Sequence, residues 1–280
     1  MVNENIKVQK KALFKRFWWV GLIAVVLISV VVFIGSLGNK KIGPAQDSPT
    51  QKSPTQNKTT QNKADKKPKD EDEMPVLKNL SVDFGPYDPV TKRAGVFLFK
   101  SAEDMIFLNI GARVKGPDGW KIIPEFEYRT DPEAKVYAAA AGVVTRVELQ
   151  SGSNDYEIEI KPNIKSTYSV INDHIKNVTL KVGDEIEAGQ LLGTAGTWGN
   201  GLGRTELMVN KNLSMGISEH HCPFEFFDQV LLEEYKQNVS TLMKDWESFK
   251  GNTTLYDEAK DIWPGCAYEK LIEDSTGVHP

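Results

Sequence analysis

The chain has 280 residues, of which 40% are hydrophobic and 26% are charged, and its formal net charge at pH 7 is −4. Residues 75–280 hold 21 of the 34 Lys and Arg and 31 of the 38 Asp and Glu, so this part has a formal charge of −10. Binding to nucleic acids and to anionic lipids requires clusters of Lys and Arg, and the acidic balance therefore argues against both.

An uncharged apolar segment, residues 17–37, follows a tail of 16 residues. A run of this length is enough to cross a bilayer core of roughly 30 Å, and it has no polar face. We predict a transmembrane helix that serves as a signal-anchor. Five Lys and Arg precede the segment and three follow it closely, so we expect residues 1–16 in the cytoplasm and the C-terminal domain outside it. A cleaved signal peptide is the alternative, although its apolar region would be shorter.

Residues 38–74 are rich in Pro, Gln, Asn, Thr, Lys and Asp and contain almost no large apolar side chains. Such a segment cannot bury enough surface to offset the loss of chain entropy on folding. The near-repeat SPTQKSPTQNKTTQNK is of low complexity and does not indicate a structural repeat. We therefore predict a disordered linker that holds the following domain away from the membrane.

Short apolar or alternating segments separated by Gly, Pro, Asn and Asp fill residues 95–162. They are GVFLF (95–99), MIFLNIGARV (105–114), KVYAAAAGVVTRVEL (135–149) and DYEIEIKP (155–162). Alternation with a period of two is typical of half-buried strands. The pattern predicts an antiparallel β domain.

Beyond residue 215 the apolar residues between Phe226 and Phe249 recur at steps of three and four, which predicts a long amphipathic helix. Cys222 and Cys266 are the two cysteines of the chain, and outside the cytosol such a pair predicts a disulfide worth roughly 3–4 kcal/mol. Two free buried thiols, or a zinc site at His220, His221 and Cys222, are the alternatives. Residues 216–280 are thus predicted as a helical region with a disulfide.

Two glycine-defined hairpins form the central signal. The segment VYAAAAGVVTRVE covers residues 136–148, and VTLKVGDEIEAGQLLG covers 178–193, with turns at Gly183 and Gly189. The combination resembles biotinyl/lipoyl-type domains and lysostaphin-type (LytM-like) zinc endopeptidases, which cut peptidoglycan cross-bridges. The Met-Lys-Met motif of lipoyl domains is absent, and the segment between the two hairpins is typical of strands. The resemblance over about residues 125–210 therefore favours the endopeptidases.

The resemblance implies a fold that is mainly β. The expected core is an antiparallel β-sandwich or barrel, the duplicated hybrid motif, over residues 75–215. C-terminal helices over 216–280 are expected to follow it, and one transmembrane helix and the linker to precede it.

The same resemblance implies zinc ligands from a His and an Asp in a first motif and from the second His of His-x-His. These positions correspond to Ile123, Glu127 and Glu206, with Arg204 at the first His of His-x-His. His174 corresponds to the catalytic His of Tyr-x-His-Leu. Zinc requires three electron-pair donors, whereas Ile123 has none and Arg204 is a permanent cation. We expect no catalytic residue and no cofactor, with zinc held by His174, Glu127 and Glu206 as the alternative.

Arg204 and Glu206 are two residues apart on a strand, so their side chains share a face. They are interpreted either as an exposed row of ion pairs worth under about 1 kcal/mol or as part of a polar cleft. In the cleft, Arg204 would clamp a carboxylate while His174 and Glu206 form hydrogen bonds. Trp198 lies in the neighbouring Gly-rich loop, where it either contacts sugar or peptide or packs the loop. The predicted cleft residues are His174, Glu206, Arg204, Glu127 and Trp198.

These observations predict a membrane-anchored, extracytoplasmic and catalytically inactive endopeptidase-like domain that acts as a cell-envelope binding or scaffold module. The expected partners are the membrane, through the N-terminal helix, and a cell-envelope peptide or glycan or a membrane protein, but no nucleic acid. One alternative is an active metallopeptidase that acts on peptidoglycan with a divergent ligand set. The other is an adaptor subunit of a membrane transporter.

Overall fold

The computed structural model describes residues 72–116 and 119–280. The predicted cytoplasmic tail, the predicted transmembrane helix at residues 17–37 and nearly all of the predicted linker lie outside the described residues. Within the described part, no helix combines the length and the apolar character that crossing a bilayer requires.

Six short strands form the first part of the domain. They are β1 (Tyr87–Asp88), β2 (Arg93–Ala94), β3 (Phe97–Leu98), β4 (Phe107–Leu108), β5 (Arg113–Gly116) and β6 (Gly119–Ile122). Strands β1–β3 make a small antiparallel sheet, and β5 and β6 make a separate hairpin. The hairpin exposes Trp120.

Eight strands form the antiparallel core that the sequence predicts. They are β7 (Phe126–Thr130), β8 (Lys135–Tyr137), β9 (Gly142–Gln150), β10 (Asp155–Lys161), β11 (Tyr168–Lys176), β12 (Glu185–Ile186), β13 (Leu191–Thr197) and β14 (Gly203–Asn212). The sheet runs in the order β12-β9-β10-β11, and β11 pairs with both β13 and β14. The turns at Gly183 and Gly189 have φ of 95° and 85°, which only glycine adopts freely.

The core lies in two clusters of buried side chains. A smaller aliphatic cluster fills the space between the two glycine-defined hairpins and includes Val136, Val144, Ile158 and Ile175. A larger aromatic cluster joins the first strands to the C-terminal region. Its fully buried members include Phe97, Phe107, Phe126, Tyr128 and Trp246. The aromatic cluster explains why the C-terminal region belongs to the same packed unit as the sheet.

The C-terminal region is only partly helical, and the prediction of helices throughout residues 216–280 is wrong. One α-helix, α1, covers Leu232–Lys250, whereas β15 (Ser218–His221), β16 (Lys270–Asp274) and β17 (Gly277–His279) extend the sheet from β14. The helix also begins later than Phe226, because Pro223–Phe226 forms a 3-10 turn. It ends at Gly251, whose φ of 64° gives a left-handed cap.

The predicted disulfide is confirmed. Cys222 and Cys266 are bonded with Cα atoms 5.9 Å apart, and both side chains are fully buried. The bond joins the end of β15 to the segment that precedes β16, across the helix. It also excludes both alternatives for this pair, since neither free thiols nor a Cys222 thiolate for a metal is present.

Candidate functional site

Strand pairing brings the predicted cleft residues together. Glu206 lies opposite Glu127, and Arg204 lies opposite Arg129, across the antiparallel pair β7–β14. On its other edge β14 pairs with β11, where Asp173 is opposite Glu206. Residues that face each other in an antiparallel pair project to the same side of the sheet. Acidic and basic side chains from three strands therefore share one site.

The four side chains of β7 and β14 form a continuous ion cluster. Nε of Arg204 lies 2.8 Å from Oε1 of Glu127, and its Nη2 contacts Oε1 of Glu206. Nη1 of Arg129 contacts the same oxygen of Glu127. The exposed fractions of Glu127, Arg129 and Glu206 are 2%, 4% and 5%. The interpretation as an exposed row of ion pairs is wrong, because these charges are buried.

A third carboxyl group, that of Glu125, completes the cluster. Its oxygen and those of Glu127 and Glu206 all lie within 4.8 Å of one another. Burial, and then the charges of Glu206 and Glu127, raise the pKa of Glu125 well above its ordinary value. A protonated Glu125 leaves two carboxylates against the two guanidinium groups of Arg129 and Arg204. The buried cluster is then neutral as a whole, which is the condition for burying charges at tolerable cost.

The two guanidinium groups keep their charge inside the site. Burial lowers the pKa of Arg204, but the carboxylates of Glu206 and Glu127 outweigh that effect and leave the pKa raised. Burial lowers the pKa of Arg129, and the charge of Glu127 opposes the shift. Guanidinium remains protonated in proteins under all ordinary conditions. The centre of the site is therefore occupied by fixed positive charge.

His174 joins the cluster from β11. Its Nδ1 is 3.0 Å from Oδ2 of the fully buried Asp155, and its Nε2 is 3.7 Å from Oε1 of Glu206. Its backbone has a φ of 55°, which is uncommon for a residue with a side chain. The contact with Asp155 fixes the ring so that Nε2 is directed toward Glu206.

Trp198 covers the arginines. Its ring centroid lies 3.6 Å from Cζ of Arg129 and 5.4 Å from Cζ of Arg204, and such cation–π contacts are stronger away from water. Its Nε1 donates a hydrogen bond of 3.1 Å to Oε2 of Glu103. The ring is thus fixed by its contacts with the two arginines and by the hydrogen bond to Glu103. The structure therefore brings the five residues predicted from the sequence close together.

A cleft of about 510 Å³ opens over this cluster. Arg129, Arg204, Glu127 and Trp198 line one side of it. The rest of the lining comes from the β5–β6 hairpin, from β4 and from the segment that precedes it, and it includes Lys115, Lys121, Met105 and Leu108. The cleft combines apolar surface with charges of both signs, which is typical of sites that orient a polar ligand.

The sequence of the β domain matches a known family. Residues 126–221 match the family model of Peptidase family M23. These residues are therefore similar to the M23 family. No curated protein shows significant similarity to the chain.

Several solved structures are similar to part of the chain. The antimicrobial peptidase lysostaphin from Staphylococcus simulans is 15% identical with a TM-score of 0.32, and the match covers 51% of this chain and 49% of that one. A mutant catalytic domain of the prophage-encoded M23 protein EnpA from Enterococcus faecalis is 21% identical with a TM-score of 0.32, over 50% and 95%. A chain of the SpoIIQ–SpoIIIAH pore-forming complex is 14% identical with a TM-score of 0.37, over 56% and 94%. The match covers less than half of the first solved structures, at 45%, 39% and 49% of their lengths.

The residues of this domain do not fit the zinc ion that the family resemblance implies. Ile123, at the expected His position, is fully buried and carries no donor atom. Arg204 contacts Glu127 and Glu206, and Arg129 also contacts Glu127, so the carboxylate oxygens already serve positive groups. A divalent ion placed there would lie against two guanidinium groups, which repel it.

A second group of acidic residues with His174 is also satisfied by the protein itself. Asp155 accepts hydrogen bonds from Ser153 and faces Nδ1 of His174. Asp173 accepts a 3.0 Å hydrogen bond from Nε2 of Gln150 and another from the backbone N–H of His174. These carboxylates therefore orient the imidazole and close the hairpin between β9 and β10.

Replacing Glu125 with Gln should make the protein more stable, and increasingly so as the pH rises above about 4.5. In the unfolded chain Glu125 ionises near its ordinary pKa, whereas in the folded domain burial and then the charges of Glu206 and Glu127 raise its pKa and favour the protonated form. The folded state then binds more protons, so stability falls as the pH rises through this window, by up to about 1.4 kcal/mol per unit. Gln cannot ionise and removes this loss.

The measurement is urea-induced unfolding of the wild type and the Gln variant between about pH 4.5 and 7.5. Glu133→Gln, which changes an exposed side chain two residues beyond Asp131, gives the background for the loss of one surface charge. A stability difference for Glu125→Gln that stays constant with pH would show that Glu125 is ionised in the folded domain.

Proposed function

We propose that this chain is a membrane-anchored, extracytoplasmic binding or scaffold module of the cell envelope whose M23-like domain does not hydrolyse its ligand. The observation that carries the proposal is the pair of buried guanidinium groups among the carboxylates of the cluster. They supply the positive charge that a metal ion supplies in a hydrolytic centre, but they offer no open coordination position and no metal-bound water. The anchor is the apolar segment at residues 17–37.

The ligand that suits the cleft is an envelope peptide or glycan with free carboxylates. Arg204 is already paired with Glu127 and Glu206. A ligand carboxylate would therefore bind to other cations of the cleft. Lys115 and Lys121 also line the cleft. Ammonium groups on flexible stems bind carboxylates as point charges. Trp198 and the apolar side chains beside it would supply contact area for a sugar ring or a peptide stem.

The zinc content of the protein tests whether the cleft is hydrolytic. The full-length chain is purified in detergent, incubated with zinc and dialysed, and its metal content is measured by mass spectrometry. We expect far less than one zinc per chain and no cleavage of peptidoglycan cross-bridge peptides. Stoichiometric zinc that disappears in Glu206→Ala would refute the proposal and support the metallopeptidase alternative. Loss of zinc in His220→Ala alone would place an ion outside the cleft.

Binding measurements test what the cleft recognises. Charge reversal by Lys121→Glu is expected to raise the Kd for soluble peptidoglycan fragments about tenfold or more, which corresponds to about 1.4 kcal/mol. The measurement is isothermal titration calorimetry with the full-length chain. Lys181→Glu reverses an exposed charge on the Gly183 turn, outside the residues that line the cleft, and should leave the Kd unchanged. Equal effects of both variants would argue against recognition in the cleft.

A further inference from the structure

Three exposed apolar side chains lie together at one end of the β domain. The exposed fractions of Ile164, Leu213 and Met215 are 71%, 43% and 92%. We call these three residues the apolar tip. Single exposed apolar residues are ordinary on protein surfaces, so the exposure alone would mean little. What distinguishes the tip is its position in the fold and on the chain.

The two loops of the tip are held side by side by the sheet. Tyr168 at the start of β11 is opposite Lys211 near the end of β14. One residue further out, the backbone N–H of Asn212 donates a 2.9 Å hydrogen bond to the carbonyl of Thr167. The loop with Ile164 directly precedes β11, and the loop with Leu213 and Met215 directly follows β14. Both loops therefore extend from the same edge of the β domain.

Met215 is exposed through an unusual backbone conformation. Its φ is 62°, in the left-handed region, and Gly216 follows with a φ of 74°. Large apolar residues rarely occupy this region, where Gly and Asn are the common choices in turns. The turn thus presents a long apolar side chain at the outermost point of the hairpin between β14 and β15.

The N-terminal chain arrives at this same end. Oγ of Ser166 donates a 2.7 Å hydrogen bond to the carbonyl of Glu73, and Oγ1 of Thr167 donates one of 3.0 Å to Oδ1 of Asp72. Residues 38–71 separate this point from the apolar segment that ends at residue 37. A linker of the kind that the sequence predicts for these residues would have an end-to-end distance of about 30 Å. An anchored chain would therefore keep the apolar tip close to the bilayer.

The cleft lies away from the tip. Glu206 and Asn212 are six residues apart on β14, so the ion cluster is about 20 Å from the tip along the strand. A domain that rests on its tip would leave the cleft open to a ligand that does not come from the membrane. Membrane contact and recognition in the cleft are thus compatible.

We propose that the apolar tip inserts into the interfacial region of the membrane that carries the anchor, an inference that rests on the anchoring part of the proposed function. The charges around the tip are mixed, since Lys165 and Lys211 are accompanied by Asp72, Glu73 and Glu219. The contact is therefore apolar and does not depend on anionic lipids, which agrees with the acidic balance of residues 75–280. Interfacial insertion of this kind is driven by burial of apolar side chains at the boundary of the acyl chains.

Quenching by spin-labelled lipid tests the proposal. Both native cysteines are bonded to each other, so Met215→Cys introduces one reactive thiol in the full-length chain. The thiol is labelled with an environment-sensitive dye, and the protein is reconstituted in neutral phosphatidylcholine vesicles with or without doxyl-labelled phosphatidylcholine. We expect about twofold or stronger quenching, because a tip residue would lie about 5–10 Å below the surface.

Leu149→Cys is the matched control. Leu149 is an exposed apolar residue on β9, where it lies opposite Tyr156. Val143, six residues earlier on the same strand, lies opposite Lys161, at the end of β10 that leads to Ile164. Leu149 is therefore at the end of β9 that is farther from the tip. Its label should not be quenched. In the Met215→Cys chain, adding Leu213→Glu should abolish the quenching, whereas adding Leu149→Glu should leave it unchanged.

Each outcome decides between the proposals. If alkaline extraction releases the chain from the vesicles, the anchor fails and the tip contact fails with it. If the chain stays in the vesicles but the label at position 215 is not quenched, the tip proposal alone is overturned. A label at position 215 that reacts poorly in native membranes, but is not quenched by lipid, would assign the tip to a protein partner and overturn the membrane contact.

Discussion

Replacing Arg204 with Met is expected to lower the free energy of unfolding by about 3–5 kcal/mol. Met fills a similar volume but removes the positive charge that contacts both Glu127 and Glu206. Glu206 is then buried without an ion-pair partner among the arginines, while Glu127 keeps only Arg129. The loss comes from the uncompensated negative charge, and the size of the side chain contributes little.

A double variant separates the charge from the packing. In Arg204→Met with Glu206→Leu, the remaining buried charges are those of Glu127 and Arg129, which pair with each other. Replacing a buried ion pair by apolar side chains of similar volume is often neutral. We therefore expect the double variant to recover stability to within about 1 kcal/mol of the wild type.

Urea unfolding at neutral pH measures all of these variants, with Arg93→Met as the control. Arg93 pairs with Asp131, but its side chain is 41% exposed, so its loss should cost no more than about 1 kcal/mol. An Arg204→Met variant as stable as the control would mean that the carboxylates of the cluster are protonated together or find another cation. That result would remove the charge argument on which the non-hydrolytic function rests.

Three of the five residues predicted for the cleft, Glu127, Trp198 and Arg204, line it, whereas His174 and Glu206 are not among its lining residues. His174 and Glu206 are identified by their correspondence to the Tyr-x-His-Leu and His-x-His motifs of the endopeptidases, and Trp198 lies in the loop between them. The structure brings these residues into contact through the pairing of β11, β13 and β14. The motif correspondence together with the glycine-defined turns is therefore sufficient to identify the strands that carry these residues.

Two members of the cluster, Glu125 and Arg129, were missed. The segment Glu125-Phe126-Glu127-Tyr128-Arg129 alternates charged and aromatic residues, which is the two-residue period of a strand. That period places the three charged side chains on the face that carries Glu127. The alternation alone therefore predicts this charged face, whereas the family motifs contain no position that corresponds to residue 125. Burial of both faces of β7 could not be inferred from the segment.

The strands of the C-terminal region could not be predicted for a different reason. Strands β15, β16 and β17 have the sequences SEHH, KLIED and GVH, which are short and largely polar. Their pairing with β14 depends on long-range contacts, since β16 lies about fifty residues beyond β15 along the chain. The amphipathic pattern of α1 is much stronger than the pattern of any of these strands, so the sequence of this region predicts helix only.

Removing the disulfide is expected to lower the free energy of unfolding by about 4 kcal/mol. The bond closes a loop with a sequence separation of 44 residues, and a loop of this length loses about that much chain entropy in the unfolded state. The loop contains α1, which buries Val239, Leu242, Met243 and Trp246 in the aromatic cluster. We therefore expect the helix to remain folded in the variant, at lower overall stability.

Two forms of the protein measure this effect by urea unfolding. The double variant Cys222→Ala and Cys266→Ala removes the bond and leaves a small cavity, whereas the reduced wild type removes the bond alone. Both should lose about the same free energy if the restricted unfolded chain is the cause. A much larger loss in the alanine variant would instead assign the effect to packing around the two buried sulfur atoms.

Whether the bond between Cys222 and Cys266 is formed in cells tests the proposed extracytoplasmic location of the domain. Disulfides form and persist outside the reducing cytosol. If residues 72–280 lie outside the cytoplasm as proposed, alkylation of the protein in denaturant without reductant, followed by mass analysis, should leave both cysteines unmodified, because they are bonded to each other. A variant without residues 1–37 would stay in the cytosol, where we expect both thiols to be alkylated and the domain to be less stable by the amount of the bond. Equal alkylation of both forms would contradict the extracytoplasmic location.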